Sequence, residues 1–197
     1  MTKQDFFSRL SSPWDERHGE PEELERLRLF AAHFQLQRGD RILDVGCGSG
    51  RLAGVACERI GPSGSLVELD FAPGMIEICR KKCFPGNVTC LLGDAHALPL
   101  DDHDFDKVIA LALLPHLDDK AGALREFRRV LKPGGLLVVA HQMGREELDR
   151  LHDRQGGPVR RDRLPAKPEL ALLLHDAGFS AVEIQDEPDR YIAWGRA

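Results

Sequence analysis

Arg41-Ile-Leu-Asp-Val-Gly-Cys-Gly-Ser-Gly-Arg-Leu52 is the stretch around which the rest of the chain is arranged. Ile42, Leu43 and Val45 form a short apolar run, long enough for a buried parallel strand. Gly46, Cys47, Gly48, Ser49 and Gly50 follow as a tight turn, and residues 52–60 read as a helix. A strand, a glycine turn and a helix open a nucleotide-binding α/β unit. Glycine lets a ligand approach the backbone closely, and the helix start offers free N–H groups. A loop that seats a pyrophosphate reads G-x-G-x-x-G; here the spacing is G-x-G-x-G, with Asp44 just before it. That carboxylate repels a pyrophosphate and attracts a cationic amine.

Outward from this stretch, strand and helix alternate. Residues 1–19 are a polar lead with Phe6, Phe7 and Trp14 as aromatic anchors. Leu24, Leu27, Phe30, Ala31 and Phe34 recur at helical spacing between Pro21 and about Gln37. Strands are expected at 65–70, 87–92, 107–111 and 136–140. Helices are expected from Pro73 to about Lys82, with proline at a favoured first position, and from Asp118 to Leu131. The latter would bury Ala121, Leu124, Phe127, Val130 and Leu131, and Lys132-Pro-Gly-Gly135 would stop it. A polar helix at 145–154, a basic Gly/Pro-rich loop at 156–168 and a helix at 169–177 precede two close strands, 179–184 and 191–195, which read as a hairpin. Such alternation belongs to an α/β fold with a mainly parallel sheet, here carrying an antiparallel edge.

The chain has 197 residues and a formal net charge of −5. One domain, 1–197, is expected, with 1–38 as an N-terminal lid and helix. Residues 39–141 would form a cofactor-binding core, and 142–197 the helices and C-terminal hairpin of the substrate side. The acidic balance argues against a nucleic-acid partner. Residues 1–12 lack the apolar core of a signal sequence, and no apolar run reaches membrane-spanning length. Five cysteines, at 47, 57, 79, 83 and 90, show no C-x-x-C pair, which suits reduced thiols in a cytoplasmic protein.

Further motifs follow in order. Asp70 closes the second strand in Val67-Glu-Leu-Asp-Phe-Ala-Pro-Gly-Met75; an acid there can accept from both hydroxyls of a ribose. Gly93-Asp94-Ala95 follows the third strand. Leu98-Pro-Leu-Asp-Asp102, Phe105-Asp106-Lys-Val108 and Arg125-Glu-Phe-Arg-Arg-Val-Leu-Lys-Pro-Gly-Gly-Leu-Leu137 come next. Together these resemble, over roughly residues 40–140, the class I S-adenosylmethionine-dependent methyltransferases of type 11/25. Ala72 and Gly74 depart from the Ser and Glu common in that family.

The resemblance implies a Rossmann-like, doubly wound, seven-stranded sheet ordered 3-2-1-4-5-7-6 with strand 7 antiparallel. It implies S-adenosyl-L-methionine as cofactor, an ammonium, a carboxylate and a nucleoside in one ligand. Asp44, Gly46, Cys47, Gly48 and Gly50 would hold it with Asp70. Phe71 and Met75 would flank the adenine, with Asp94, Ala95 and Leu113 completing the site. Trp14 and His18 would close over the cofactor or meet substrate.

Methyl transfer is an in-line displacement at an activated sulfonium, so the protein aligns the nucleophile, excludes water and removes a proton. Histidine suits that last task, and His116 in Leu113-Leu-Pro-His-Leu117, His141 and His152 are the candidates. No ligand spacing among them supports a metal, and none is expected. Arg154, Arg160, Arg161 and Arg163 form a solvated basic loop or a seat for an anionic substrate. The Asn/Asp-Pro-Pro-Tyr/Phe motif of DNA amino-methylating enzymes and the Pro-Cys nucleophile of cytosine C5 enzymes are both absent. A small-molecule acceptor is therefore expected, on a monomer or homodimer without nucleic-acid or membrane partners. The alternatives are a regulatory S-adenosylmethionine-binding subunit without turnover and an NAD-dependent oxidoreductase, which the short glycine loop and Asp44 oppose.

Overall fold

In the computed structural model, which describes residues 1–84 and 87–197, the apolar run becomes β1 (Arg41–Val45), with Ile42 and Leu43 fully buried. Seven strands follow the order β3-β2-β1-β4-β5-β7-β6. This is the expected Rossmann-like topology. The chain forms two compact units, Met1–Asp94 and Ala95–Ala197.

In the first unit, β1 pairs in parallel with β2 (Ser65–Asp70), which pairs in parallel with β3 (Val88–Leu92). Crossovers between parallel strands need helices. These are α3 (Ala53–Ile60) and α4 (Pro73–Lys81), burying Ala53, Val55, Ala56 and Ile60 on one and Met75, Ile76 and Cys79 on the other. The polar lead folds as α1 (Lys3–His18), with Thr2 and Asp5 exchanging hydrogen bonds as a capping box. Pro13 lies inside this helix, which masks it in the sequence. The expected helix at 21–37 is α2 (Pro21–Phe30) followed by one 3-10 turn, Ala31–Phe34; Gln35 then turns the chain at a positive φ of 53°.

The second unit holds β4 (Phe105–Leu111), α5 (Lys120–Val130), β5 (Leu131–His141), α6 (Arg145–Gln155), α7 (Lys167–Asp176), β6 (Ser180–Glu187) and β7 (Arg190–Arg196). β4 and β5 are parallel; β7 runs antiparallel to both β5 and β6. The stop expected at Lys132–Gly135 ends the helix, yet these residues continue into β5 as an irregularity in its register with β4. Asp119 caps α5, accepting from the Gly122 N–H at 2.8 Å. The helix buries Ala123, Leu124, Phe127 and Val130, so Ala123 takes the place expected of Ala121. Arg129 donates to Glu126, Asp102 and the Leu98 and Leu100 carbonyls, tying the loop before β4 to α5. Among the described residues no helix is long and apolar enough to cross a membrane.

Phe127 is fully buried on α5. Phe127→Ala is expected to lower the unfolding free energy by about 3–5 kcal/mol, read by urea denaturation. A loss under about 1 kcal/mol would place the ring outside the core.

Candidate active site

Three glycines give the turn after β1 its shape. Gly46, Gly48 and Gly50 have φ of 72°, 59° and 77°, a region other residues enter at a cost. The Gly46 and Cys47 N–H groups donate to the Leu69 carbonyl of β2 at 2.7 and 3.1 Å. Asp70, at the end of β2, is 7% exposed. One of its carboxylate oxygens accepts from the Gly48 N–H at 2.9 Å and the other from the Ala72 N–H at 2.8 Å. Burial pushes the Asp70 carboxyl up from its ordinary range, and the N–H groups of Ala72, Gly48 and Phe71 pull it back.

Beneath the turn lies a buried acid pair. Asp44 of β1 and Glu68 of β2 are register partners, 1% and 0% exposed. Burial raises Asp44 to about 7, against the opposing pull of its bond to Glu68 and of Arg51. Burial and the Asp44 charge push Glu68 well up from the carboxylate range. Arg51, just past the turn, is lowered to about 10 by burial, with Asp44 as the largest opposing influence. Neither Glu68 nor Arg51 stood out in the sequence. Glu68 looked like one polar residue in a strand, and pairing with Asp44 across β1 and β2 is what gives it meaning. Cys47, Glu68 and Cys79 bring their donor atoms within 4.8 Å of one another, the group of metal-ligand proximity among the described residues. No histidine belongs to it.

Helix α1 lies on α4 and reaches the glycine turn. A Cβ on Gly48 would stand 3.5 Å from the Trp14 Nε1 and 3.8 Å from the Met75 Sδ. Trp14 stacks on His18 with ring centroids 4.1 Å apart, and the His18 Nδ1 lies 2.8 Å from the Trp14 carbonyl. Burial lowers the His18 pKa, and the nearby Arg51 charge adds to it. Gln4 donates to the Phe71 carbonyl at 2.8 Å, the Phe7 and Phe71 rings meet edge-on at 6.0 Å, and Lys82 pairs with Asp15 at 2.5 Å. Trp14, His18, Phe71, Met75 and the glycine turn are thus gathered in the first unit. Asp94 is exposed after β3, where the Gly93 N–H donates to the Asp70 carbonyl at 3.0 Å.

In the second unit Ala95 is buried. Ala112, after β4, has a φ of 57°, uncommon for a residue with a Cβ. It is followed by half-buried Leu113 and a 3-10 turn, Leu114–His116. The His116 Nδ1 lies 2.7 Å from the Asp162 Oδ2. The His152 Nδ1 lies 2.9 Å from the Asp162 carbonyl oxygen, and the two imidazoles are 5.2 Å apart. Asp162, 7% exposed, comes from the loop read as basic. It was hidden among Arg160, Arg161 and Arg163, 46 residues from its partner. Arg163 turns to Asp153 at 2.6 Å and Asp149 at 3.7 Å, while Arg160 and Arg161 of the loop and Arg154 at the end of α6 are exposed. His141 ends β5, half-buried.

Gly74 explains itself at the α1–α4 crossing. A Cβ there would stand 2.6 Å from the Ser8 carbonyl and 3.2 Å from the Ser11 Oγ. Gly74→Ala is expected to cost roughly 1–3 kcal/mol of helix docking. Limited tryptic digestion should then cut faster at Arg9 and Arg17 while the rest of the chain resists. An unchanged rate would mean that α1 is held without this crossing.

Residues 43–139 match the family model described as a methyltransferase domain. The O-methyltransferase rstn1 of Aspergillus nomiae is 33% identical over 177 residues, covering 84% of this chain and 76% of the relative. A demethylmenaquinone methyltransferase of Staphylococcus carnosus is 34% identical over 137 residues, covering 67% of this chain; the chain spans 56% of that relative's length. A solved S-adenosylmethionine-dependent methyltransferase of Thermotoga maritima superimposes with a TM-score of 0.76 at 22% identity, covering 96% of this chain and 97% of that one. A glycine turn pinned by an acid at the end of β2, a seven-stranded sheet in this order and a relative matched over most of its length agree: the chain belongs to the Rossmann-like, S-adenosylmethionine-dependent methyltransferase family.

Proposed function

We propose that this protein transfers the methyl group of S-adenosylmethionine to a small-molecule acceptor, with His116 as the base. The observation that carries the base is the His116–Asp162 bond at 2.7 Å. A buried carboxylate accepting from Nδ1–H fixes the tautomer, so that Nε2 keeps its lone pair. Bound in this protein, S-adenosylmethionine would supply an activated sulfonium methyl group to the acceptor's oxygen or nitrogen, and the His116 Nε2 would take the acceptor's proton. His152, whose Nδ1 lies 2.9 Å from the Asp162 carbonyl, supports the loop that carries the carboxylate. His141 stands as a substrate-side residue.

In this reading Asp70 retains lone pairs for the ribose hydroxyls while holding Gly48 and Ala72. Asp44 faces the cofactor's ammonium, a pairing that would return its raised carboxyl toward the charged form. Phe71 and Met75 would flank the adenine and Asp94 would accept from its edge, and Ala95 and Leu113 are the further cofactor residues that the family resemblance implies. Cys47 contributes its backbone. Trp14, against the glycine turn, and His18, stacked on it, would close over the bound cofactor as a lid. The relatives' names support the acceptor class: one is named for demethylmenaquinone and the other for O-methylation.

Asp70→Ala is expected to weaken S-adenosylmethionine binding about a hundredfold, through two lost hydrogen bonds to a charged acceptor and a loosened turn. Calorimetry with S-adenosylmethionine and S-adenosylhomocysteine reads it, and unchanged affinity would sink the cofactor assignment. His116→Asn is expected to lower kcat by about 10²–10⁴ while cofactor affinity holds, and to remove the acid limb of the pH–rate profile. Asp162→Asn should lower kcat less, by roughly ten- to a hundredfold. These rates would be read with a quinol or phenol found by an acceptor screen. A His116→Asn enzyme with the wild-type profile would exclude this base.

A further inference from the structure

Three thiols and a carboxylate meet beneath the glycine turn, and the methyl-transfer reading gives them no chemistry. Cys47 belongs to the turn, Glu68 to β2 and Cys79 to α4, and their donor atoms all lie within 4.8 Å of one another. They are 5%, 0% and 0% exposed. Cys90 of β3 adds a third sulfur, 3.1 Å from that of Cys79. Both carboxylate oxygens of Glu68 are fully buried, between Asp44 and the Cys47 thiol. A carboxylate buried this deeply calls for a proton or a cation to answer its charge. Gly50 leaves the space: a Cβ there would sit 2.8 Å from the Cys79 Sγ.

We propose that Cys47, Glu68 and Cys79 bind one thiophilic divalent cation of the zinc class, with Cys90 as the neighbouring fourth donor. Sulfur donors select a borderline-soft ion over magnesium or calcium, and three thiolates with a carboxylate make a four-donor set zinc accepts. A disulfide between Cys79 and Cys90 would use two of the sulfurs but leave the Glu68 oxygens as they are. Binding forms three sulfur–metal bonds, from Cys47, Cys79 and Cys90, and one oxygen–metal bond from Glu68, and the displaced thiol and carboxyl protons pass to solvent. The cation would cross-link the glycine turn, β2 and α4, which are the elements that carry Gly48, Asp70 and Met75. This site stands apart from whichever acceptor the enzyme methylates.

The test is an anaerobic titration of the reduced full chain with cadmium(II) and cobalt(II), followed by thiolate-to-metal charge-transfer absorption. The expected result is a charge-transfer band that saturates at one ion per chain, with a melting temperature raised by zinc. Glu68→Gln and Cys79→Ser should each weaken binding by about tenfold or more, whereas Cys83→Ser, at an exposed cysteine, should leave it unchanged. Far-ultraviolet circular dichroism checks folding. Should Cys79→Ser not fold, the near-isosteric Glu68→Gln decides. The proposal is overturned by the absence of a charge-transfer band, by a band that survives Glu68→Gln at full affinity, or by a chain whose Cys79 and Cys90 are isolated as a disulfide and bind no metal after reduction.

Discussion

The two hydrogen bonds that Asp70 accepts from the Gly48 and Ala72 N–H groups are the constraint on which the cofactor half of this protein depends. One carboxylate holds both the glycine turn after β1 and the entry to α4. Three turn glycines at positive φ have little preference of their own for one conformation. The Leu69 carbonyl and Asp70 supply that preference from β2. Neutral partners would make weaker bonds than a carboxylate does with an N–H group. The end of β2 therefore fixes the turn after β1 and the start of α4 together.

Close backbone approach recurs where α1 crosses α4. At Gly74 the missing side chain lets the Ser8 carbonyl come near, and Gln4, Phe7 and Lys82 secure the contact at three further points. The helix is mostly polar, and its stability comes from its capping box and from this docking rather than from a broad apolar stripe. Trp14 then reaches the glycine turn because the crossing sets the distance. A family position usually filled by Glu is here given over to packing the N-terminal helix.

In the second unit a comparable economy joins His116, Asp162 and His152. The carboxylate oxygen and the backbone carbonyl of one residue each meet a different imidazole. The positive φ at Ala112 turns the chain sharply after β4, just before the short turn that carries His116. Strain at such a position persists only when the surroundings hold it, and here the Ala112 N–H donates to the Ala140 carbonyl at 2.8 Å.

What the sequence by itself determined was local. A strand, a glycine turn and an acid twenty residues on are read from neighbours along the chain, so β1, β2, the turn and Asp70 were legible. The strand order came from the resemblance to the methyltransferases that the motifs together carry, not from any motif alone. The C-terminal hairpin followed from the short link between its strands. What only the tertiary structure decided was every relation between distant residues. Asp162 lies 46 residues from His116 and was masked by arginines. Glu68 matters because β1 and β2 pair in a register that sets it beside Asp44. Cys47, Cys79 and Cys90 follow no ligand spacing, since three separate elements bring them together. The N-terminal helix was hidden by Pro13 and by its polar composition, and Gly74 had no visible purpose until α1 lay across it. Propensity and spacing act over a few residues, whereas packing acts over whatever the fold makes adjacent, and that is the physical boundary between the two kinds of information.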